Sequence, residues 1–299
     1  MNRRQFLGVA AGFAIANGQE HRIIDTHTHF YDPARPQGVP WPSKAETMLY
    51  RTVLPREYEG IARPLGVTGT IVVEASPWVE DNQWVLDLAQ RDPFLVGLVG
   101  HLEPGRPEFK THLGRFRRNP LFLGIRVSDE AVSNALTSAA YAADFQRLAE
   151  AGLVVDLGYT STELVRFADR FSKLRVVVEH LPFAPPADPV KRAAARRMLA
   201  ELGQLGNVFA KVSGVLRRVD GRVPLDLEFY RPALDELWES FGPDRLIYGS
   251  NWPVCELVAP YATVQKVAME YFNGKGRDAA DRFFWKNSQR AYRWAEIAQ

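Results

Sequence analysis

At 299 residues, with 46% hydrophobic and 24% charged side chains, the chain can bury one large core or two modest ones and shows no disordered or collagen-like bias. Its 37 Lys and Arg against 35 Asp and Glu leave a formal charge of +2, too balanced to mark a nucleic acid or an acidic membrane surface as partner. Cys255 is the only cysteine, which excludes an intrachain disulfide and leaves stability to packing.

The chain opens on a segment unlike the rest. Arg3 and Arg4 precede an apolar run of 11 residues, Phe6 to Ala16, that ends in Ala14-Ile15-Ala16. A charged start, a short apolar stretch and an Ala-x-Ala site read as a removable export signal over residues 1–16. The run falls short of the roughly 20 apolar residues that span a bilayer. Arg-Arg-x-Phe-Leu resembles the twin-arginine signal, which implies export of an already folded protein to the periplasm. Cleavage would remove two of the 37 positive charges and no negative ones, leaving 35 of each and a neutral mature chain, 17–299.

Eight short apolar, β-branched runs follow at a steady spacing: Arg22–Thr26, Thr70–Ala75, Leu95–His101, Leu121–Val127, Leu153–Leu157, Arg175–His180, Val208–Val212 and Leu246–Gly249. Near-continuous apolarity is the mark of parallel strands covered on both faces. Between them lie helical patterns at Asn82–Gln90, Ala139–Ala151, Ser161–Phe171, Val190–Leu205 and Leu227–Phe241, with Asp81 and Ser161 placed to cap and Gly152, Gly206 and Gly242 near helix ends. The tail, Arg277–Ala298, reads as one amphipathic helix. Strand–helix alternation repeated eight times in under 300 residues predicts a single (β/α)8 TIM barrel over residues 17–299. An open doubly wound sheet is disfavoured, because polar residues end all eight runs instead of gathering at one switch point. Two longer connections, Phe30–Leu54 and Leu216–Asp226, are placed to cover or line a site.

In such a barrel the strand C-termini share one mouth. Of six histidines, four fall there: His27, His29, His101 and His180. His27-Thr28-His29 sets two imidazoles on one side of an extended segment, and with His180 as a third ligand they could hold one divalent cation, zinc foremost. The alternative is core histidines satisfied by backbone groups.

Ile24-Asp25-Thr26-His27-Thr28-His29-Phe30 resembles the opening strand of the amidohydrolase superfamily. Val178-Glu179-His180-Leu181-Pro182, Lys211-Val212-Ser213-Gly214 and Gly249-Ser250-Asn251-Trp252-Pro253-Val254-Cys255 are similar to its amidohydrolase-2 branch. That branch contains fuconolactonases, rhamnonolactonases, 2-pyrone-4,6-dicarboxylate lactonases and metal-dependent decarboxylases. The last motif looks most like the sugar lactonases. The resemblance implies a hydrolase opening the cyclic ester of a small substrate, most often a sugar-acid lactone. It implies one divalent metal, zinc foremost, with a metal-independent route also open.

One residue departs from the pattern. Asn251 stands where the family's hydrolases carry the Asp that serves as general base, and an amide stays neutral. General-base help is worth roughly 10²–10⁴ in rate, so three outcomes are open: another group supplies it, with His101, Glu103 and Glu179 as candidates; a metal-bound hydroxide needs little further help; or the chemistry is weak or absent. Arg126 is a candidate to bind a substrate carboxylate or polarise the carbonyl, or else to pair with Asp156 or Glu103, and Lys211 to stabilise an oxyanion, or else to pair with Glu179. Trp41, Trp78, Tyr159 and Trp252, with His101, are candidates to contact substrate. Glu74 and Ser76 carry no assigned role. A decarboxylase of the same superfamily and a catalytically degenerate exported carbohydrate-binding protein are the competing readings.

Overall fold

The computed structural model describes residues 22–159, 163–181 and 188–295. The eight strands are β1 Ile23–Thr28, β2 Val67–Val73, β3 Leu95–Gly100, β4 Phe122–Val127, β5 Val154–Gly158, β6 Arg175–Glu179, β7 Val208–Val212 and β8 Leu246–Tyr248. They pair in parallel and in chain order, each neighbouring pair bridged by a helical connection. The architecture is a (β/α)8 barrel, and every expected run coincides with a strand to within a few residues.

The seam between β1 and β8 is closed mainly by side chains. Thr26 Oγ1 donates to the Tyr248 carbonyl (2.6 Å), and Asp25 Oδ1 accepts from the Ser250 backbone N–H (2.8 Å). Just above, His29 N–H donates to the Trp252 carbonyl (2.9 Å) and Asn251 N–H to the His27 carbonyl (2.8 Å). The second Asp25 oxygen accepts from the Tyr58 hydroxyl (2.6 Å). Burial raises the Asp25 carboxyl above its usual range, outweighing these hydrogen bonds.

Inward strand residues such as Ile24, Ile71, Val99, Val154, Val177 and Ile247 fill the barrel, and the tail residues Tyr292 and Trp294 pack against them. A larger core lies between the sheet and the surrounding helices. Fully buried aliphatic side chains are worth about 1.5–3 kcal/mol each, so these two layers carry the stability that no disulfide supplies.

Local chemistry explains several helix ends. Ser128 caps the helix Asp129–Thr137 by accepting from the Ala131 N–H, and Asp188 and Asp226 cap Pro189–Gln204 and Leu227–Phe241 in the same way. Gly242 (φ 63°) ends the last of these in a backbone conformation that favours glycine. Other expectations need correction. The helix at Val79–Ala89 begins before Asp81, which sits in its first turn and pairs with Arg35 (2.9 Å) instead of capping. Ser161 and the signal at 1–16 lie outside the described residues. The tail is not one helix: Arg277–Asp281 passes into a π-helical turn, Arg282–Lys286, then Asn287–Tyr292, and ends at Arg293 (φ 57°). Helices at Pro55–Ala62, Phe109–Phe116, Asp129–Thr137 and Tyr261–Gly274 complete the ring. Among the described residues, no helix is long and apolar enough to cross a membrane.

Candidate active site

The strand ends bring His27, His29, Glu74, His101, Arg126, Glu179, His180, Lys211 and Asn251 to one end of the barrel. His27 lies on β1 with its ring fully buried, 5.0 Å from the His29 ring and 4.8 Å from the His180 ring, centroid to centroid. Gly249 is needed beside it: a Cβ there would come within 2.8 Å of the His27 Cβ. His180 follows β6 with φ 56°, and Asn251 follows β8 with φ 64°. Such left-handed backbone costs a non-glycine residue about 1–3 kcal/mol, and it is often retained where side chains must be aimed into a site.

Glu179 is the electrostatic centre. Its carboxylate, buried beneath the mouth, meets Arg126 Nη2 (2.5 Å), Lys211 Nζ (3.5 Å) and His27 Nδ1 (3.4 Å). Burial opposes its ionisation, but the Arg126 and Lys211 cations outweigh burial and hold its carboxyl below the usual range. Lys211 is fully buried and bonds Asp156 more closely (2.6 Å), which in turn accepts from the Tyr292 hydroxyl (2.9 Å). Asp156 is pushed up to about 6 by burial, against the pull of Lys211. Lys211 therefore supports Glu179 from below and does not line the mouth. Arg126 does line it, and its partners are Glu179, Glu74 (3.9 Å) and the His180 ring at Nε2 (3.3 Å), not Asp156 or Glu103.

The histidines divide into two kinds. His27, Glu179 and His180 present ligand atoms all within 4.8 Å of one another, and they are the compact set among the described residues. Both ring nitrogens of His27 are buried without a hydrogen-bond partner, and burial drives its pKa well down, keeping it neutral. Those are the properties of a ligand for a cation. His29, expected as a ligand, falls outside that compact set, its ring 5.0 Å from that of His27. Its Nδ1 lies 3.0 Å from the Val73 carbonyl, which can only accept, so Nδ1 carries the proton. Burial lowers its pKa to about 4, so Nε2 holds a lone pair, and that lone pair faces the Asn251 amide oxygen Oδ1, also an acceptor, 3.2 Å away. A half-turn of that amide about its terminal bond offers Nε2 an N–H. A carboxylate at the same place would have no hydrogen to offer, so Asn251 matches a neutral His29.

A cavity of about 420 Å³ opens over this array, lined by His29, Trp41, Glu74, His101, Arg126, His180 and Asn251 among others. A second, of about 550 Å³, adjoins it along Glu74, His101 and Arg126. Trp41 contacts the His29 ring edge (5.7 Å). His101 is held by Asn82, which bonds both its backbone N–H and its carbonyl (2.8 Å each). Glu103, weighed as a base, lies on the rim and pairs with Arg106 (2.9 Å).

Three sequence candidates stand apart from these cavities. Trp252 is fully buried against Tyr58 and Phe30, with its indole N–H on Glu256 (3.0 Å). Tyr159 is buried with its hydroxyl on the Ala195 carbonyl (2.7 Å). Trp78 is exposed at the start of Val79–Ala89. Sequence reasoning passed over Glu74. It follows β2 directly, lines both cavities, and has its carboxyl raised by burial despite Arg126. A strand-end position was its one signal, shared with many residues that do nothing.

The family model described as amidohydrolase matches residues 24–294. An L-fucono-1,5-lactonase of Burkholderia ambifaria is 30% identical over 251 residues, covering 80% of this chain and 82% of the relative. Another of that name, from Burkholderia multivorans, is 28% identical over 280 residues, covering 88% and 92%. A solved amidohydrolase of Burkholderia multivorans with bound zinc superposes with a TM-score of 0.81 at 24% identity, covering 91% of this chain and 99% of that one.

Proposed function

The chain belongs to the amidohydrolase family, and from that premise we propose that it hydrolyses the ring ester of a sugar-acid lactone. The observation that carries this reading is an open cavity over a His–Glu–His set, buried at His27 and Glu179 and reaching the cavity at His180, with a guanidinium and a carboxylate side by side on its wall. The two fuconolactonase relatives, aligned over most of their length, support the substrate class.

His27, Glu179 and His180 fit a divalent cation, zinc foremost, which when bound would supply Lewis-acid polarisation of the substrate carbonyl. Arg126 faces the cavity and stabilises the oxygen that gains negative charge as water attacks the carbonyl carbon. Glu74 takes the proton that the water gives up. As the carbon–ring-oxygen bond breaks, that proton passes to the departing alkoxide, and the product is the open hydroxy acid. Glu74 suits the role because burial raises its proton affinity and Arg126 keeps it close to where charge develops. Asn251 orients His29 and carries no proton. Lys211 and Asp156 hold Glu179 in place from beneath.

We further propose export of the folded chain to the periplasm, a reading supported by Arg3, Arg4 and the Ala14-Ile15-Ala16 ending.

The test is an indicator assay of acid release from aldono-lactones, with purified protein, both chelator-treated and zinc-supplemented, beside Glu74→Gln. Turnover by the parent and a loss of about 10²–10⁴ in kcat for Glu74→Gln is the expected result. No turnover of any lactone under either condition refutes the reading. Full activity in Glu74→Gln refutes the base assignment alone.

A further inference from the structure

The substrate cavity is double, and only its inner part is used by the chemistry above. The inner lobe, about 420 Å³, is already within the ~300–1,000 Å³ that holds one small ligand. One lactone ring placed between Arg126, His180 and Asn251 leaves the outer lobe, about 550 Å³, unfilled. Glu74, His101 and Arg126 line both, so a group attached to the lactone can pass from one to the other.

The outer lobe is a built feature of the loops after β3 and β4. Gly105 (φ 83°) carries no side chain where a Cβ would strike the Tyr141 ring at 2.2 Å, so that ring lies flush against the loop. The Gly105 N–H donates to Asp144 (2.7 Å), which is also bridged to Arg147 (2.7 Å). On the far side, Ser128 caps the helix Asp129–Thr137, whose first residues, Asp129 and Glu130, face the lobe.

Its chemistry selects a class of occupant. Beyond the shared residues, three carboxylates (Glu103, Asp129 and Glu130) stand against one guanidinium, Arg106, which already pairs with Glu103 (2.9 Å). The positive end of the Asp129 helix is matched by its own first-turn acids. An anionic extension is therefore repelled, whereas hydroxyl groups can donate to carboxylate oxygens and Tyr141 offers an aromatic face to C–H bonds. We propose that the outer lobe is a subsite for a neutral glycosyl group, so that the preferred substrate is an aldonolactone bearing a second sugar. This deepens the lactonase reading and rests on it.

The experiment compares kcat/KM for glucono-1,5-lactone with that for the same lactone carrying a glycosyl group at O4 (cellobiono-1,5-lactone) or at O6 (melibiono-1,5-lactone). At least one disaccharide lactone is expected to exceed gluconolactone tenfold. Tyr141→Ala, and Glu130→Lys at the exposed helix start, are each expected to remove that advantage while leaving gluconolactone within twofold. Equal values for all three lactones, or variants that depress all three alike, overturn the subsite. Failure of every lactone to turn over refutes the lactonase reading, and calorimetry then decides the subsite separately. Cellobionate binding at least tenfold more tightly than gluconate supports it, and equal binding overturns it.

Discussion

Replacing Asp25 by alanine tests how the barrel is held shut. The carboxylate is wholly buried and accepts from the Ser250 N–H (2.8 Å), the His27 N–H (3.1 Å) and the Tyr58 hydroxyl (2.6 Å), with the Tyr261 hydroxyl more distant at 3.3 Å. Leaving a buried donor unpartnered costs about 1–3 kcal/mol, so three close donors amount to roughly 3–9 kcal/mol. Removing a buried carboxylate also relieves a desolvation cost, the same cost that raises its pKa, so the lower half of that range is expected. Against a typical stability of about 5–15 kcal/mol, a loss of about 4 kcal/mol is large. At roughly 2–4 °C per kcal/mol for domains approaching this size, it corresponds to a fall in Tm of about 8–16 °C. Asp25→Asn keeps one carbonyl oxygen for the two backbone donors, and the tyrosine hydroxyls can rotate to accept from its amide, so it should lose less than half as much. Thermal melts followed by circular dichroism, with urea titrations for the free energies, measure both. An alanine variant within 2 °C of the parent, or asparagine and alanine variants melting together, would refute the seam argument.

Three further outcomes follow from the same contacts. Lys211→Met leaves Asp156 and Glu179 buried without their shared cation and should destabilise by about 3–5 kcal/mol in urea titration, with Asp156→Asn added to it restoring part of the loss. Cys255 is buried and its thiol pushed well up by burial, so native protein should be inert to a thiol-reactive disulfide dye and react once unfolded; fast native labelling would contradict this. Expression of the full chain in a bacterium with the twin-arginine pathway should yield a periplasmic protein whose intact mass starts at Asn17, read by mass spectrometry; an uncleaved cytoplasmic product would dismiss the export reading.

The eight strands were legible because a parallel barrel strand is apolar on both faces, and such runs are short, β-branched and regularly spaced. His27, His29, His101 and His180 were legible as a group because strand ends converge in any such barrel. Helix Asp129–Thr137 was passed over: its nine residues are polar at the start, and its Ser128 cap could be recognised only once the strand before it had an end. The tail misled for a different reason, since its aromatic residues fit a helical pattern that a π turn at Arg282–Lys286 interrupts.

By itself the sequence determined the scaffold, the end of the barrel where four histidines gather and the presence of an amide at Asn251. Those depend on local pattern and on a topology that admits one working end. Only the tertiary structure decided which side chains meet. Positive φ at His180 and Asn251, and the Val73 carbonyl under His29, set Glu179 with His27 and His180 and turn His29 toward Asn251. Likewise, only the folded mouth shows Glu74 on the wall of both lobes and Trp252 sealed inside the core. Ring orientation and burial are set by neighbours dozens to hundreds of residues away, such as Tyr248 against Thr26, and no local pattern carries that information.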